Sequence, residues 1–157
     1  IISKFIIRLY KNSSHHLNPM SSPNFNLHEP PKFLSLLGSQ GFEYDEAADT
    51  SSMKFIISKD LTHSNGTIVQ GGFITAMLDA AMAHLIILKL KAQVNPLSLN
   101  INVNFIAPGA PGEFIASAIV TKMGKSIAFT SAELFQGERL VATATATNKL
   151  LKMPPTS

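Results

Sequence analysis

The chain predicts an α+β domain in which an antiparallel sheet wraps one long central helix, and three observations carry that reading. From Phe73 to Leu90 the sequence is apolar except at Thr75, Asp79, His84 and Lys89, and a helix that is apolar nearly all round belongs in an interior. After residue 91 runs give way to alternation. Ser98-Leu99-Asn100-Ile101-Asn102-Val103-Asn104-Phe105 reads with period two, as a half-buried strand does. Two glycine-bearing tripeptides, Met123-Gly124-Lys125 and Gln136-Gly137-Glu138, then divide the remainder at hairpin spacing. A long helix followed by a meander is an α+β order, and the simplest arrangement lays the sheet around the helix.

In chain order, residues 20–31 are rich in Ser, Pro and Asn and read as an irregular lead-in. Pro31 before Lys32-Phe33-Leu34-Ser35-Leu36-Leu37 predicts a short helix with proline near its first turn and Gly38 as its stop. Met53–Ser58 is β-like, and Lys59–Thr67 is a polar loop. The long helix takes residues 71–91. A strand follows over Ser98–Phe105, a turn over Pro108-Gly109-Ala110-Pro111-Gly112, and three further strands over Glu113–Lys122, Ser126–Phe135 and Arg139–Leu150.

Composition narrows the function. With 157 residues and 45% hydrophobic content, one domain with a sizeable core is expected. The absence of Cys excludes disulfides, thiolate metal sites and a cysteine nucleophile. The His residues show no metal-binding spacing and no carboxylate cluster beside them, so no metal is expected. The formal charge of +3 is unevenly spread. Lys4, Arg8 and Lys11 are basic residues of an acid-free N-terminal segment, whereas from Met20 onward Lys/Arg and Asp/Glu balance. A nucleic-acid binder carries a basic stripe on its folded domain, and none is visible. The apolar stretch over 73–90 has Asp79 and His84 in its middle, which argues against a membrane span. Residues 1–19 end just before Met20, which reads as a natural start. They are expected to be an added or upstream-translated extension, with a basic targeting peptide as the alternative. The organisation is therefore an N-terminal extension over 1–30, a domain over 31–152 and a tail over 153–157. The location is cytoplasmic, or organellar if the extension is a genuine leader.

Asp79 needs a reason, because an ionised carboxylate inside an apolar helix is costly unless solvated, hydrogen-bonded or used. Just before that helix stands Asn65-Gly66-Thr67-Ile68-Val69-Gln70-Gly71-Gly72. A helix N-terminus offers unpaired N–H groups and a positive dipole end to an anion. A glycine pair there lets a ligand approach the backbone without meeting a Cβ.

The blocks NGTIVQGGFITAMLDAAM, PLSLNINVNFIAPGAPGEF, VTKMGKSIAFTSAEL and ERLVATATAT, in that order, resemble the hotdog-fold acyl-CoA thioesterases of the phenylacetic-acid-degradation (PaaI) type. The likeness covers about residues 33–150. It implies a curved antiparallel sheet around a long helix, an active site where two protomers pair their sheets edge to edge, and a homodimer or homotetramer. It implies a hydrolase that splits the thioester of an acyl- or aryl-acyl-CoA to free acid and CoA. No cofactor is needed, since coenzyme A is part of the substrate. Asp79 would be the general base or nucleophile, and Gly72 would offer its backbone N–H to the thioester oxygen. Asn65 would hold the thioester or the water, and Ser98 would orient water. Gln70 stands where the family usually has His. Gly71, the segment Phe105, Ile106, Ala107, Pro108, Gly109 and Ala110, the segment Lys122, Met123, Gly124, Lys125, Ser126 and Ile127, and Lys149 match positions that touch the substrate or its CoA.

The chemistry suits these residue types. A carboxylate against apolar walls is a stronger base than one in water, and backbone donors at a helix start can stabilise an oxyanion. A CoA thiolate leaves readily, so Gln in place of His need not abolish turnover. Plainer readings stand beside these. Asp79 also reads as a core polar residue bonded to Thr75 or the backbone, and the glycine pair as a helix-entry turn. Asn65-Gly66 also reads as an ordinary turn, Ser98 as a loop-to-strand hydroxyl, and the lysines as solvated surface charges. His84 reads as a core or interface histidine. The competing functions are a non-catalytic acyl-CoA-binding or sensing protein on the same fold, which has no need of Asp79, and a hotdog dehydratase, which would want His at position 70.

Overall fold

The computed structural model describes residues 31–153; the extension over 1–30 and residues 154–157 of the tail lie outside the described residues. In chain order the elements are α1 (Lys32–Leu36), β1 (Ser39–Asp45), β2 (Thr50–Ile57), a 3-10 turn (Lys59–Leu61), β3 (Thr62–His63), β4 (Ile68–Val69), α2 (Gly71–Lys89), β5 (Val94–Phe105), β6 (Gly112–Met123), β7 (Ile127–Gln136) and β8 (Arg139–Lys152). Six strands form one antiparallel sheet in the order β1-β2-β6-β7-β8-β5, and β3 and β4 make a separate small ladder. The helix therefore connects the β1–β2 side of the sheet to its far edge, and the meander β6-β7-β8 fills the middle.

The apolar run makes α2 a core helix because the sheet closes over most of its circumference. Met77, Leu78, Ala81, Met82, Leu85 and Ile86 are fully enclosed, and each large side chain among them contributes roughly 1.5–3 kcal/mol by leaving water. Alternation on the strands supplies the other half of the contact. β6, β7 and β8 turn Ala116, Ala118, Ala128, Ala132, Ala142, Ala144 and Ala146 inward, so the helix lies close over the middle of the sheet. Larger residues, Met53, Phe55, Phe114 and Leu134, fill the flank.

The C-terminal end of α2 has no glycine stop. Lys91 and Ala92 take left-handed φ values of 50° and 58°, and Ala92 N–H donates to the Ile87 carbonyl at 2.8 Å. Lys89, in the last turn, pairs with Asp49 of the β1–β2 turn, as a cation at a negative dipole end should. That ammonium holds the Asp49 carboxyl below its usual range. Tyr44 donates to Asp49 at 3.2 Å, and burial, aided by this carboxylate, pushes the Tyr44 phenol up. His84 is a core histidine: its Nδ1 lies 2.8 Å from the Ala80 carbonyl, its ring stands 5.5 Å from that of Phe42, and burial holds it below the ordinary imidazole value.

The structure extends the sequence reading in three places. β1 was not anticipated. β2 begins at Thr50 and β5 at Val94, each earlier than its alternation suggested. The polar loop contains the 3-10 turn and the β3–β4 ladder, whose register pairs Thr62 with Val69 and His63 with Ile68.

Candidate functional site

One stripe of α2 escapes the sheet. Gly72, Thr75, Ala76, Asp79 and Ala83 recur at three- and four-residue spacing and are all at least partly exposed, while their helical neighbours are mostly buried. Asp79 lies on this stripe, which removes the cost of sealing a carboxylate in the core. Its Oδ1 accepts a hydrogen bond of 2.6 Å from Ser98 Oγ. Thr75, the partner in the plainer reading, donates instead to the Gly71 carbonyl at 2.9 Å.

Ser98 reaches the helix because β5 carries a register shift between Ser98 and Asn100. Across the sheet it faces Asn148 of β8, with Asn148 Oδ1 3.3 Å from Ser98 Oγ. Asn148 Nδ2 in turn donates to Thr130 Oγ1 of β7 at 3.1 Å. Asn148 and Thr130 are 1% and 2% exposed, so a buried polar chain runs behind Ser98 through an otherwise alanine-lined interior. The sequence reading missed both residues. Their signal was available: period-two alternation puts Asn148 on the face of Ala142, Ala144 and Ala146, and Thr130 on that of Ala128 and Ala132.

A second group surrounds the start of α2. Gln70 is the N-cap, and its Oε1 accepts from Gly72 N–H at 2.6 Å. Gly71 lies under the ring of Phe105, where an added Cβ would stand 3.2 Å from Cζ. A Cβ on Gly72 would first meet the Gln70 side chain, at 2.7 Å from Oε1. The loop after β5 packs beside this entrance. Gly109 accepts from Val69 N–H at 2.8 Å, and a Cβ there would strike the Phe114 ring at 2.8 Å, so glycine is what lets the loop lie flat. Phe105, Ile106, Pro108 and Ala110 are exposed along it, and Ala107 is half-buried. Asn65 lies in the exposed β3–β4 turn with φ 59°. That hairpin is tied to the helix entrance by Gln70 N–H donating to the Leu61 carbonyl at 3.0 Å, although Asn65 makes no side-chain hydrogen bond with this group.

The third group is the β6–β7 turn. Gly124 N–H donates to the Ile127 carbonyl at 2.8 Å, and Leu150 N–H donates to the Ser126 carbonyl at 2.9 Å. Lys122, Lys125 and Ser126 are exposed. Met123 is half-buried, as is Lys149, which pairs in register with Ile127. Asp79 and Gly72 share one helix stripe but lie about 10 Å apart along the axis. The structure thus joins Asp79 to Ser98, and Gln70 and Gly72 to each other, as two separate clusters on one open face.

The sequence model of the acyl-CoA thioesterase N-terminal domain matches residues 60–149. Among solved structures, a phenylacetic acid degradation-related protein of Ralstonia eutropha JMP134 is 30% identical with a TM-score of 0.72, over 78% of this chain and 93% of that chain. The E. coli PaaI protein of the phenylacetic acid degradation operon is 16% identical with a TM-score of 0.66, over 80% of this chain and 87% of that chain. A Bacillus halodurans protein solved with CoA is 20% identical with a TM-score of 0.59, over 64% of this chain and 66% of that chain. For these last two the likeness is one of fold. No curated protein matches.

Proposed function

The chain belongs to the acyl-CoA thioesterase family and is a hotdog-fold thioester hydrolase, and from that premise we propose that Asp79 is the hydrolytic base of a site completed by a second copy of the chain. The observation that carries this is the carboxylate itself, on the uncovered helix stripe with one oxygen held by Ser98 at 2.6 Å and the other without a hydrogen-bond partner among the described residues. Asp79 takes a proton from water as that water's oxygen adds to the thioester carbon. The tetrahedral intermediate then collapses, the C–S bond breaks, and the departing thiolate takes up the proton. The Gly72 N–H that receives the developing oxyanion is that of the second copy, because Gly72 of the same chain lies about 10 Å from Asp79 along the helix; the role is worth on the order of 10²–10³ in rate per donor. In the free protein that N–H is held by Gln70, so the thioester oxygen replaces the Gln70 amide oxygen on binding. Phe105–Ala110, Lys122–Ile127 and Lys149 are the surfaces offered to the CoA portion, and Asn65 is offered from the adjacent turn.

Assembly follows from the two edges of the sheet. β1 is short, shifts register between Ser39 and Gly41, and carries Glu43 and Asp45, the usual protections of an edge. β5 is 12 residues long and carries no charge from Val94 to Phe105. Pro96 and the register shift between Ser98 and Asn100 guard its first half, but Asn100–Phe105 has neither bulge, proline nor charge and is a pairing surface, and isologous pairing of two such segments would bring a second copy against the Asp79 stripe. The deciding experiment is Asp79→Asn, which keeps volume and the Ser98 contact but removes the base. Turnover of a panel of acyl-CoAs, followed with a thiol reagent, should collapse while the melting temperature holds or rises. Retention of more than about a tenth of the wild-type rate would leave Asp79 about 1.4 kcal/mol or less of transition-state stabilisation, too little for the base of the reaction.

A further inference from the structure

Behind the carboxylate stands polar machinery that a purely apolar core would lack. Asn148 and Thr130 are enclosed, on the inward faces of strands whose other buried residues are all apolar and mostly alanine. Burying an amide and a hydroxyl costs free energy unless each is paired. Here they pair with one another and with Ser98, and Ser98 pairs with Asp79.

The proton count along this chain has two solutions. Ser98 Oγ carries a single proton and can donate once. When Asp79 is ionised, that proton must point at Oδ1. Ser98 can then only accept from the Asn148 side, so Asn148 must offer an N–H to Ser98 and accept from the Thr130 hydroxyl. Every donor then points toward the carboxylate. When Asp79 has taken a proton from water, its carboxyl can donate to Ser98 Oγ. Ser98 then donates to Asn148 Oδ1, and Asn148 Nδ2 donates to Thr130 Oγ1. In the structure the Asn148 amide is turned as in the second arrangement, with Oδ1 toward Ser98 at 3.3 Å and Nδ2 toward Thr130 at 3.1 Å, while Ser98 Oγ lies 2.6 Å from Asp79 Oδ1, close enough for a hydrogen bond in either direction. Apart from the proton gained by Asp79 itself, the two differ by one amide turn and two hydroxyl rotations, with no other bond made or broken.

We infer that Asn148 and Thr130 are positioning residues of the hydrolytic step, a buried hydrogen-bond relay behind Ser98 whose direction reverses as Asp79 gains and loses its proton. The inference rests on the reading of Asp79 as the base. The relay keeps Ser98 bonded to Asp79 in both protonation states, so the carboxylate holds its aim while water is deprotonated and while the thiolate is reprotonated. A network of this kind acts as a unit, and its coupling is measured by double-mutant cycles.

The test uses Thr130→Val, which keeps shape and removes the hydroxyl, and Thr130→Ser, which keeps the hydroxyl, each in wild-type and Ser98→Ala backgrounds. Thr130→Val should lower kcat by about tenfold, the weight of one good hydrogen bond, with KM unchanged. Thr130→Ser should stay within about twofold of wild type, even if its melting temperature falls. In Ser98→Ala the link to Asp79 is already cut, so Thr130→Val should cost nothing further. The relay is overturned by a Thr130→Val enzyme with wild-type kcat, by an equal loss in the Ser98→Ala background, or by a Thr130→Ser enzyme as impaired as Thr130→Val. Asp79→Asn on the same preparation separates the two levels. If it is inactive while Thr130→Val is silent, only the relay fails; if it is active, the base assignment fails first.

Discussion

Gln70 offers a prediction in which stability and activity move in opposite directions. Its Oε1 accepts from Gly72 N–H at 2.6 Å on the exposed entrance of α2, and the same N–H is the proposed oxyanion donor. An N-cap of this kind is worth about 1 kcal/mol. A thioester oxygen that displaces it forfeits that contribution, and 1 kcal/mol corresponds to about fivefold in rate. Gln70→Ala should therefore unfold about 1 kcal/mol more easily yet show kcat/KM unchanged or raised by up to about fivefold. Gln70→Glu should do the reverse. A carboxylate at a helix start gains about 0.3–1 kcal/mol from the dipole and makes a charge-assisted bond roughly twice as strong, so it holds the N–H more tightly.

The assay has to exclude repulsion between the carboxylate introduced by Gln70→Glu and the phosphates of CoA. A truncated N-acetylcysteamine thioester of the same acyl group has no phosphate and serves that purpose, with urea melts giving stability in parallel. If Gln70→Ala loses stability and activity together, Gln70 acts on the substrate directly and the exchange of partners at Gly72 is refuted. A Gln70→Glu variant that is both stabilised and fully active would refute it equally, because it would show that the cap need not be displaced.

Two further outcomes follow from the structure. If Asp79 of one copy works with Gly72 of another, mixing inactive Asp79→Asn with inactive Gly72→Val chains should restore about a quarter of wild-type turnover, since half of the dimers are mixed and one of their two sites is intact; no recovery on exchange of subunits would put both groups in one chain. His84 sets an acid limit. Burial lowers its pKa, so the unfolded chain binds the proton first, and stability is full above about 6.5, the ordinary imidazole value, and falls below it by at most roughly 1.4 kcal/mol per pH unit. His84→Leu should flatten urea-midpoint curves from about pH 6.5 to 5, and an unchanged slope would remove His84 as the cause.

Much of this fold was legible because its signals are local. The apolar run of α2 and the period-two pattern of β5 to β8 require no knowledge of distant partners. β1 was not legible for the opposite reason. Of Ser39-Gln40-Gly41-Phe42-Glu43-Tyr44-Asp45 only Phe42 is buried, and the segment becomes a strand by pairing with β2. Asp79 could be singled out as an interruption of an apolar helix, but its surroundings could not. Its place on the uncovered stripe depends on which side of α2 the sheet leaves open. Its partner Ser98 lies 19 residues away and Asn148 lies 50 beyond Ser98, brought together only by the β5–β8 register. The Gln70 cap was hidden too, since the resemblance marks position 70 only as the one where the family usually has His, and the contact of its oxygen with Gly72 N–H appears only in the fold.

The same strand links the chemistry to the proposed assembly. The register shift between Ser98 and Asn100 lets β5 present Ser98 to Asp79 while its remaining length keeps an unprotected edge. In a lone chain that edge leaves Ser98 exposed and its bond to Asp79 in contact with solvent, where a hydrogen bond contributes least. Pairing two β5 edges would exclude water from that bond, raise the effective strength of the Asp79–Ser98 contact and close the Asp79 stripe against the partner. Assembly and catalysis are then one equilibrium. A substitution that blocks the edge without touching the site, such as Asn102→Pro on the exposed face of β5, acts on turnover through dissociation, and its effect diminishes as protein concentration is raised.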